Sequence, residues 1–232
     1  MNVVRSATAV ALLLTAVSSR AVTTERNFWT QLTLTGPLAA STAAPCPWRY
    51  TFDTPHRWSV DTDEYAQGTW RAGLGYVLSP KCTLWAGGSV VRNFPPYARV
   101  PYSETRWFQQ LSWSDQANGC TFAYRLRLEQ RHPETGSRMG LRLRHQFRVS
   151  HPLPATPRVS WILWDEVFHH LNHPDYGAGR GLDQNRVFAG VGWNSSEIIR
   201  QELGYLHQWS NRVGRPNREI HALSYGVTLN FR

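Results

Sequence analysis

The stretch YRLRLEQR, residues 124–131, alternates strictly between apolar and charged side chains. The even positions up to 128 hold Tyr124, Leu126 and Leu128, and the odd positions hold Arg125, Arg127, Glu129 and Arg131. Neighbouring side chains of a β-strand point to opposite faces of its sheet. This segment therefore predicts a strand with one apolar face and one strongly cationic face.

A second stretch, LRLRHQFR at 141–148, repeats the pattern. Arg142, Arg144 and Arg148 share one parity, while leucines and Phe147 occupy the other. An arginine that faces lipid at the bilayer midplane costs about 2–4 kcal/mol. If the strands cross a membrane, the leucine face must meet lipid and the arginine face must point inward. A soluble strand with one wet face is the alternative interpretation of each segment taken alone.

Alternating segments recur along the whole chain, and we identify eleven of them. They are 27–36, 48–58, 65–78, 82–91, 104–114, 121–131, 138–149, 158–170, 185–193, 197–209 and 219–231. Alternating segments of about 10 residues separated by turns are typical of outer-membrane β-barrels. A wholly antiparallel barrel with both ends on one side needs an even number of strands. We therefore predict an all-β, single antiparallel transmembrane barrel of 10–12 strands, with twelve preferred.

The connections between these segments alternate in length. Short ones are Ser79–Lys81, 115–119, 151–157 and 194–196, and most of the intervening ones, such as 93–103 and 171–184, are longer. Barrels of this class have short periplasmic turns and longer outer loops. Counting back from a periplasmic C-terminus places all four short connections on the periplasmic side.

The N-terminal residues have the features of a Sec signal peptide. Arg5 precedes an apolar run from Ala7 to Val17, and Ser19-Arg20-Ala21 forms a small-x-small cleavage site. The run is shorter than the roughly 20 residues that a membrane-spanning helix needs. We expect residues 1–21 to be removed and residues 22–232 to form one barrel in the outer membrane of a Gram-negative bacterium.

Composition limits the partners. The formal net charge is +9, and the basic residues are arginines apart from Lys81. They are spaced singly at alternate positions and do not cluster, so they favour an interior lining over a nucleic-acid surface. The spacing of Cys46, Cys82 and Cys120 matches no zinc motif, and one disulfide or none is compatible with three cysteines. We expect no nucleic acid, cofactor or metal.

Several longer motifs occur in a fixed order. They are RWFQQL (106–111), RLRLEQR (125–131), RLRHQFRVSHPL (142–153), WDEVFHHLN (164–172), GLDQNRVFAGVGW (181–193), ELGYLHQW (202–209) and HALSYGVTLNF (221–231). From about Trp70 to Phe231 the chain thereby resembles the domain-of-unknown-function 2490 family of bacterial outer-membrane β-barrel proteins. The resemblance implies an outer-membrane barrel and supplies no catalytic residue.

Location in the outer membrane would give the barrel two kinds of partner. Its apolar exterior would contact outer-membrane lipid and lipopolysaccharide. The closing strand, with Tyr225 and Phe231 on its apolar face, would present the aromatic C-terminal signal to the barrel assembly machinery.

The residues expected to line the lumen are mainly arginines. They are Arg125, Arg127, Glu129, Arg131, Arg142, Arg144, Arg148, Arg186 and Glu202. Such a set has two interpretations. It is either a packed interior held by ion pairs, for which the planar guanidinium is well suited, or a basic lining that favours anions.

Two places carry side chains suited to hydrolysis. Asp165, Glu166, His169 and His170 lie near the expected outer rim, where acid and histidine together can perform acid–base chemistry or bind a metal. His207 and Ser210 resemble a histidine–serine pair, but on a regular strand residues three apart point to opposite faces.

The sequence therefore supports three functions. The first is a narrow pore or binding barrel with an arginine-rich lumen for small anionic solutes. The second is a hydrolase that acts on lipid or peptide at the extracellular rim. The third is a structural barrel closed by internal salt bridges.

Overall fold

The computed structural model describes residues 22–39, 46–176 and 179–231. These residues form eleven β-strands and no helix, and hence no helix long and apolar enough to cross a membrane. The strands are β1 (Val22–Pro37), β2 (Trp48–Ser59), β3 (Glu64–Ser79), β4 (Cys82–Asn93), β5 (Tyr102–Ala117), β6 (Cys120–Pro133), β7 (Gly140–Leu153), β8 (Thr156–His170), β9 (Gly181–Asn194), β10 (Ile199–Ser210) and β11 (Asn217–Asn230). Each matches one of the eleven segments expected from alternation.

The strands close into a barrel in chain order. Consecutive strands pair in antiparallel fashion, and the seam is a parallel pair between β1 and β11 that runs from Val22 beside Asn217 to Thr35 beside Asn230. The expectation of an even strand number, ten or twelve, is therefore wrong for the part of the chain that the structure describes. The assumption of an all-antiparallel barrel failed because a parallel seam lets an odd number of strands close.

The connection lengths follow the expected pattern with two exceptions. The turns 80–81, 118–119, 154–155 and 195–198 all lie at the end of the barrel where β11 finishes. The opposite end carries the longer connections 94–101, 134–139, 171–180 and 211–216, but also the four-residue turn 60–63. The ten-residue connection 38–47 is longer than the other connections at the end where β11 finishes. We call these two ends the short-turn end and the long-loop end.

The outer surface of the barrel carries many large apolar side chains. Phe147 is 64% exposed and Trp107 57% exposed, although both sit inside long strands. In β11, Leu223 is 54% exposed while its neighbour Ala222 is 1% exposed. From 222 to 228 the small residues Ala222, Ser224, Gly226 and Thr228 face the interior, as alternation predicts, and Leu223 faces outward.

Glycines on the inner face make room for aromatic rings. A Cβ at Gly87 would lie 2.1 Å from the carbonyl oxygen of Ala72 and 2.8 Å from the Phe108 ring, and a Cβ at Gly73 would lie 3.0 Å from the same ring. Phe108 is 2% exposed. Because interiors are close-packed, these two glycines are what allows Phe108 to enter the barrel.

Two further expectations concern the N-terminal residues and the cysteines. The predicted signal peptide, residues 1–21, lies outside the described residues. Cys46, Cys82 and Cys120 are all free thiols, so they form no disulfide with one another.

Candidate functional site

The inner face of β6 and β7 carries the densest charge in the described chain. The pairing register sets Arg127 directly opposite Arg144 and Glu129 opposite Arg142. Like charges directly opposite each other destabilise a sheet. Glu129 relieves this repulsion, because its carboxylate lies 3.8 Å from Arg127 and 2.6 Å from Arg144.

Two buried carboxylates link the arginines into a network. Arg144 donates to Glu129 and, at 2.7 Å, to Glu166 on β8. Arg142 also donates to Glu129, and Arg125 donates to Glu166. Glu129 is 3% exposed and Glu166 is 2% exposed, so both charges are held away from water by several guanidinium donors at once. Such charge-assisted bonds are about twice as strong as neutral ones.

Toward the long-loop end the network continues through acids that the sequence did not single out. Arg131 and Arg106 both donate to Glu104, which is 1% exposed. Arg142 also contacts Asp183 at 3.1 Å, and His170 lies 3.5 Å from the same carboxylate. This half of the barrel is therefore filled by paired charges.

Aromatic rings support the guanidinium groups that cross the lumen. Phe168 is fully buried, and the guanidinium carbons of Arg142, Arg144 and Arg186 lie 5.1, 4.5 and 4.5 Å from its ring centroid. Arg57 lies 4.0 Å above the ring of Trp29. Cation–π contacts of this kind gain strength when water is excluded.

Two loop tyrosines cover the lumen at the long-loop end. Tyr97 accepts a hydrogen bond from Asn27 at 2.6 Å and packs against the buried cluster that contains Trp29. Tyr176 lies against Gly140, and the Arg131 guanidinium is 5.4 Å from its ring. Burial raises the pKa of both phenols. The two phenols thus remain uncharged and cover the charged interior.

One of these loops is fixed to its neighbour by a carboxylate. Asp175 accepts hydrogen bonds from the backbone and hydroxyl of Ser137 and from the backbone of Arg138. These donors lower the pKa of Asp175 to about 2. The ionised carboxylate ties the loop that carries Tyr176 to the loop between β6 and β7.

Below the covered end lies a cavity of about 310 Å³. Its described lining includes nine arginines against four carboxylates, a surplus of five positive charges. The arginines are Arg57, Arg71, Arg106, Arg125, Arg127, Arg142, Arg144, Arg148 and Arg186, and the acids are Asp53, Glu129, Glu166 and Glu202. The lining itself is therefore cationic, although Arg106 and Arg142 also pair with Glu104 and Asp183, which lie outside it.

Some cavity N–H groups have no hydrogen-bond partner among the described residues. Nε of Arg57, Nε of Arg125 and Nη1 of Arg127 are buried and unsatisfied. Arg57 also forms no ion pair with any described carboxylate, and its neighbour is the Tyr97 hydroxyl. A buried donor without a partner lowers stability by about 1–3 kcal/mol. A bound ligand or water that accepts these hydrogen bonds would remove that loss.

The cavity is more open toward the short-turn end. Arg148 donates to Glu202 with an Nη2–Oε1 distance of 2.5 Å, and Arg200 donates to the same carboxylate. The side chains of Arg148 and Glu202 are 26% and 23% exposed, compared with 2% for Glu166 deeper inside. The ion pair at this end is thus more accessible to water than the carboxylate deeper inside.

Comparison with known proteins identifies the family. A family model described as "Protein of unknown function (DUF2490)" matches residues 26–219. The chain belongs to this family. An uncharacterised protein of Methylorubrum extorquens is 29% identical to it over 163 residues, which cover 69% of this chain and 71% of that protein.

In this DUF2490 protein most of the residues predicted to line the lumen lie around the cavity. Eight of the nine do so: Arg125, Arg127, Glu129, Arg142, Arg144, Arg148, Arg186 and Glu202. Arg131 lies above it and pairs with Glu104. Arg57, Arg71 and Glu104 were not among the residues predicted to lie inside: a proline interrupts the segment 48–58, and the segments of Arg71 and Glu104 carry no row of arginines at one parity.

The four candidate hydrolytic residues do not form one site. Glu166 and His170 are buried inside the barrel, whereas Asp165 and His169 are on its outer face. Asp165 accepts a hydrogen bond from Asn185, and Glu166 is saturated by arginines. Strand alternation separates the two pairs, so the rim has no shared acid–histidine constellation among these residues.

The other pair considered for hydrolysis is also split. Ser210 is buried and accepts a hydrogen bond from Gln208, while His207 lies between the buried Leu206 and Gln208 and therefore faces outward. The two side chains are on opposite faces of β10, as strand geometry predicts.

The two aromatic residues of the closing strand occupy different positions. The Tyr225 hydroxyl donates to Gln201 of β10. Phe231 follows β11, and its backbone N–H donates to Thr35 at 2.8 Å, so it is tied to the end of β1. The ring of Phe231 remains 39% exposed.

Proposed function

We propose that this DUF2490 protein is an outer-membrane barrel that binds a small oxyanion in its arginine-lined cavity without forming an open channel. The observation that carries the proposal is the cavity of about 310 Å³, with its surplus of five positive charges and its unpartnered buried guanidinium N–H groups.

The outer surface supports a membrane location. Large apolar side chains at mid-strand positions, such as Phe147, Trp107 and Leu74, are half or more exposed. Scattered exposed apolar residues are normal in soluble proteins, but a contiguous band is not. Barrels are one of the two structures that satisfy every backbone hydrogen bond in a bilayer. With the short turns facing the periplasm, the covered end would face the outside.

The interior supports binding over conduction. Salt bridges such as those around Glu129 and Glu166 cross the long-loop half of the lumen, and Tyr97 and Tyr176 lie above them. The remaining cavity is at the small end of the range for ligand sites. It would therefore hold a small solute that enters from the short-turn end.

The chemistry of the lining selects the ligand class. Guanidinium groups present paired donors that match carboxylate and phosphate oxygens. Arg57 and Arg127 reach the cavity with unsatisfied N–H groups and have aromatic rings behind them, Trp29 and Phe108. A phosphate or carboxylate would accept these donors and offset part of the positive surplus.

Titration calorimetry of the purified barrel in detergent tests binding, with inorganic phosphate as the probe. Wild-type protein should bind phosphate saturably, and Arg57→Met should weaken binding at least about 10-fold, which equals the loss of one charge-assisted hydrogen bond of roughly 1.5 kcal/mol. Arg92→Met is the control, because Arg92 is exposed and, among the described residues, donates to Ser103 alone.

Conductance in planar bilayers tests the absence of an open channel. We expect no steady ohmic current from the wild type. An open, anion-selective current would refute the covered lumen. Absence of both phosphate binding and current would refute the binding role and leave the third function, a structural barrel closed by ion pairs, which the network around Glu129 also favours.

A further inference from the structure

We propose that the barrel carries a binding site for a transition-metal dication, of the Zn²⁺ class, on its outer wall near the long-loop end. The ligands are His207 on β10 with Glu219 and His221 on β11. The nearest ligand-capable atoms of these three side chains all lie within 4.8 Å of one another. The site is independent of the cavity inside the barrel.

The strand register creates this cluster. His207 and His221 are directly opposite residues of an antiparallel pair, and Glu219 is opposite Trp209, one step along the same face. Directly opposite side chains have Cβ atoms about 4.5–5.5 Å apart, and diagonal neighbours are within reach of long side chains. The register therefore brings the three side chains together on one face of the sheet.

The face is fixed by burial. Leu206 and Gln208, on either side of His207, are 2% and 4% exposed, and Ile220 and Ala222, on either side of His221, are also buried. The alternation directs all three candidate ligands to the outside. They are only partly covered there, which leaves an approach for an ion.

A hydrogen bond orients one ligand. The Tyr205 hydroxyl contacts Nδ1 of His221 at 2.5 Å, which leaves Nε2 of that ring for a metal. Histidines that bind metals almost always have their second nitrogen held in this way, and this partner fixes the tautomer. Tyr205 is thus a positioning residue.

The surroundings place the cluster at the rim. On β1, Arg26 is the register neighbour of His221, its side chain is 72% exposed, and it pairs with Asp61 at 2.7 Å. That pairing directs the positive charge of Arg26 toward Asp61. An ion at this level would lie in the zone of polar lipid groups.

Two imidazoles and a carboxylate match the chemistry of zinc. Zinc sites with two histidines and one glutamate leave a fourth position for water or another oxygen ligand. Zn–N and Zn–O bonds of about 2.0–2.2 Å place tetrahedral ligand atoms roughly 3.4 Å apart, so binding requires the side chains to close by about 1 Å.

A second outward cluster provides a matched control. The Tyr124 hydroxyl contacts Nδ1 of His145 at 2.7 Å, and the His145 and His169 rings are 6.4 Å apart. This cluster repeats the tyrosine–histidine contact and the second histidine. However, its histidines are not directly opposite, because His145 pairs with Val167. Among the described residues, no third metal-ligating side chain lies close enough to both histidines to complete a site.

The test is calorimetric titration of the full-length mature barrel in detergent with ZnCl₂. We expect one saturable site, a loss of affinity of more than about 100-fold in His207→Gln and in His221→Gln, and a loss of about 10-fold in Tyr205→Phe. His145→Gln/His169→Gln should bind as the wild type does. Cobalt substitution should add visible ligand-field bands in the wild type that are absent from His221→Gln.

Three results would overturn the proposal: no saturable binding by the wild type, equal binding by the wild type and His207→Gln, or equal losses in the control pair. Heat-induced unfolding monitored by circular dichroism confirms that each variant is folded. If a single variant does not fold, the cobalt spectrum of Glu219→Gln decides, because loss of the carboxylate alone must change the bands.

Discussion

Replacing Glu166 by glutamine should destabilise the barrel strongly, because this carboxylate is the shared counter-charge of three arginines. Arg125 and Arg144 donate to it at 2.8 and 2.7 Å, and Arg186 lies 3.8 Å away. Glutamine keeps the shape of the side chain and removes only the charge. The three guanidinium groups would then remain buried beside a neutral amide.

The magnitude follows from two opposing contributions. Charge centres about 4 Å apart attract by roughly 4 kcal/mol at an effective dielectric constant near 20, and two arginines are in close contact with Glu166. Desolvating the carboxylate costs several kcal/mol, which the substitution restores. Removal of one partner from a buried ionic group costs a net 3–5 kcal/mol, about the value we expect here.

Urea unfolding in lipid vesicles, followed by tryptophan fluorescence, measures this loss. Glu202→Gln is the control, because that carboxylate is 23% exposed and water replaces part of its ion pairing. We expect about 1 kcal/mol for Glu202→Gln. A loss below about 1 kcal/mol for Glu166→Gln, or equal losses for both variants, would refute the view that the inner ion pairs are tightly coupled.

Three further predictions use the same measurement or a simple titration. Gly87→Ala should lower the free energy of unfolding by about 1–3 kcal/mol, because the added Cβ would overlap the backbone of Ala72. Gly226→Ala is the control and should lower it little, because its Cβ would be 3.9 Å from the nearest atom. Equal losses in the two variants would contradict the packing argument. Phe147→Arg should lower the free energy of unfolding in vesicles by about 2–4 kcal/mol, and Phe147→Leu should lower it far less. If the arginine variant were as stable as the wild type, Phe147 would not contact hydrocarbon. The carboxyl of Asp175 should titrate in folded protein near pH 2 by carbon NMR. Because this pKa is depressed from 3.8, the loop contact is fully present above about pH 4 and is lost as the pH falls through 2; a midpoint near 3.8 would contradict it.

Much of the fold was predictable because strand alternation is a local property. The arginine parity of 124–131 and 141–148 requires no knowledge of distant residues, and it assigned the inner face of both strands correctly. The phase of β8 was harder to predict, because both parities of 158–170 carry aromatic side chains. Only packing against Phe188 and the buried arginines sets Glu166 inside and Asp165 outside.

The seam and some of the ion-pair partners could not be predicted from local patterns. Whether β1 pairs with β11 in parallel depends on the tilt and stagger of the closed barrel, and no short segment contains that information. The partner of Arg131 was likewise not predicted, since Glu104 lies 27 residues away and only the strand register brings the two side chains together. The grouping of His207, Glu219 and His221 arises from the register between β10 and β11, which alternation alone does not fix.

The parallel seam between the first and last strands places the two ends of the described chain at opposite ends of the barrel. Val22 lies beside Asn217, whereas Phe231 lies beside Thr35, about fourteen strand residues further along the cylinder. If the cylinder spans a bilayer, an epitope inserted ahead of Val22 and another attached after Phe231 would lie in different compartments. An impermeant antibody added to intact cells would then label one of the two and not the other.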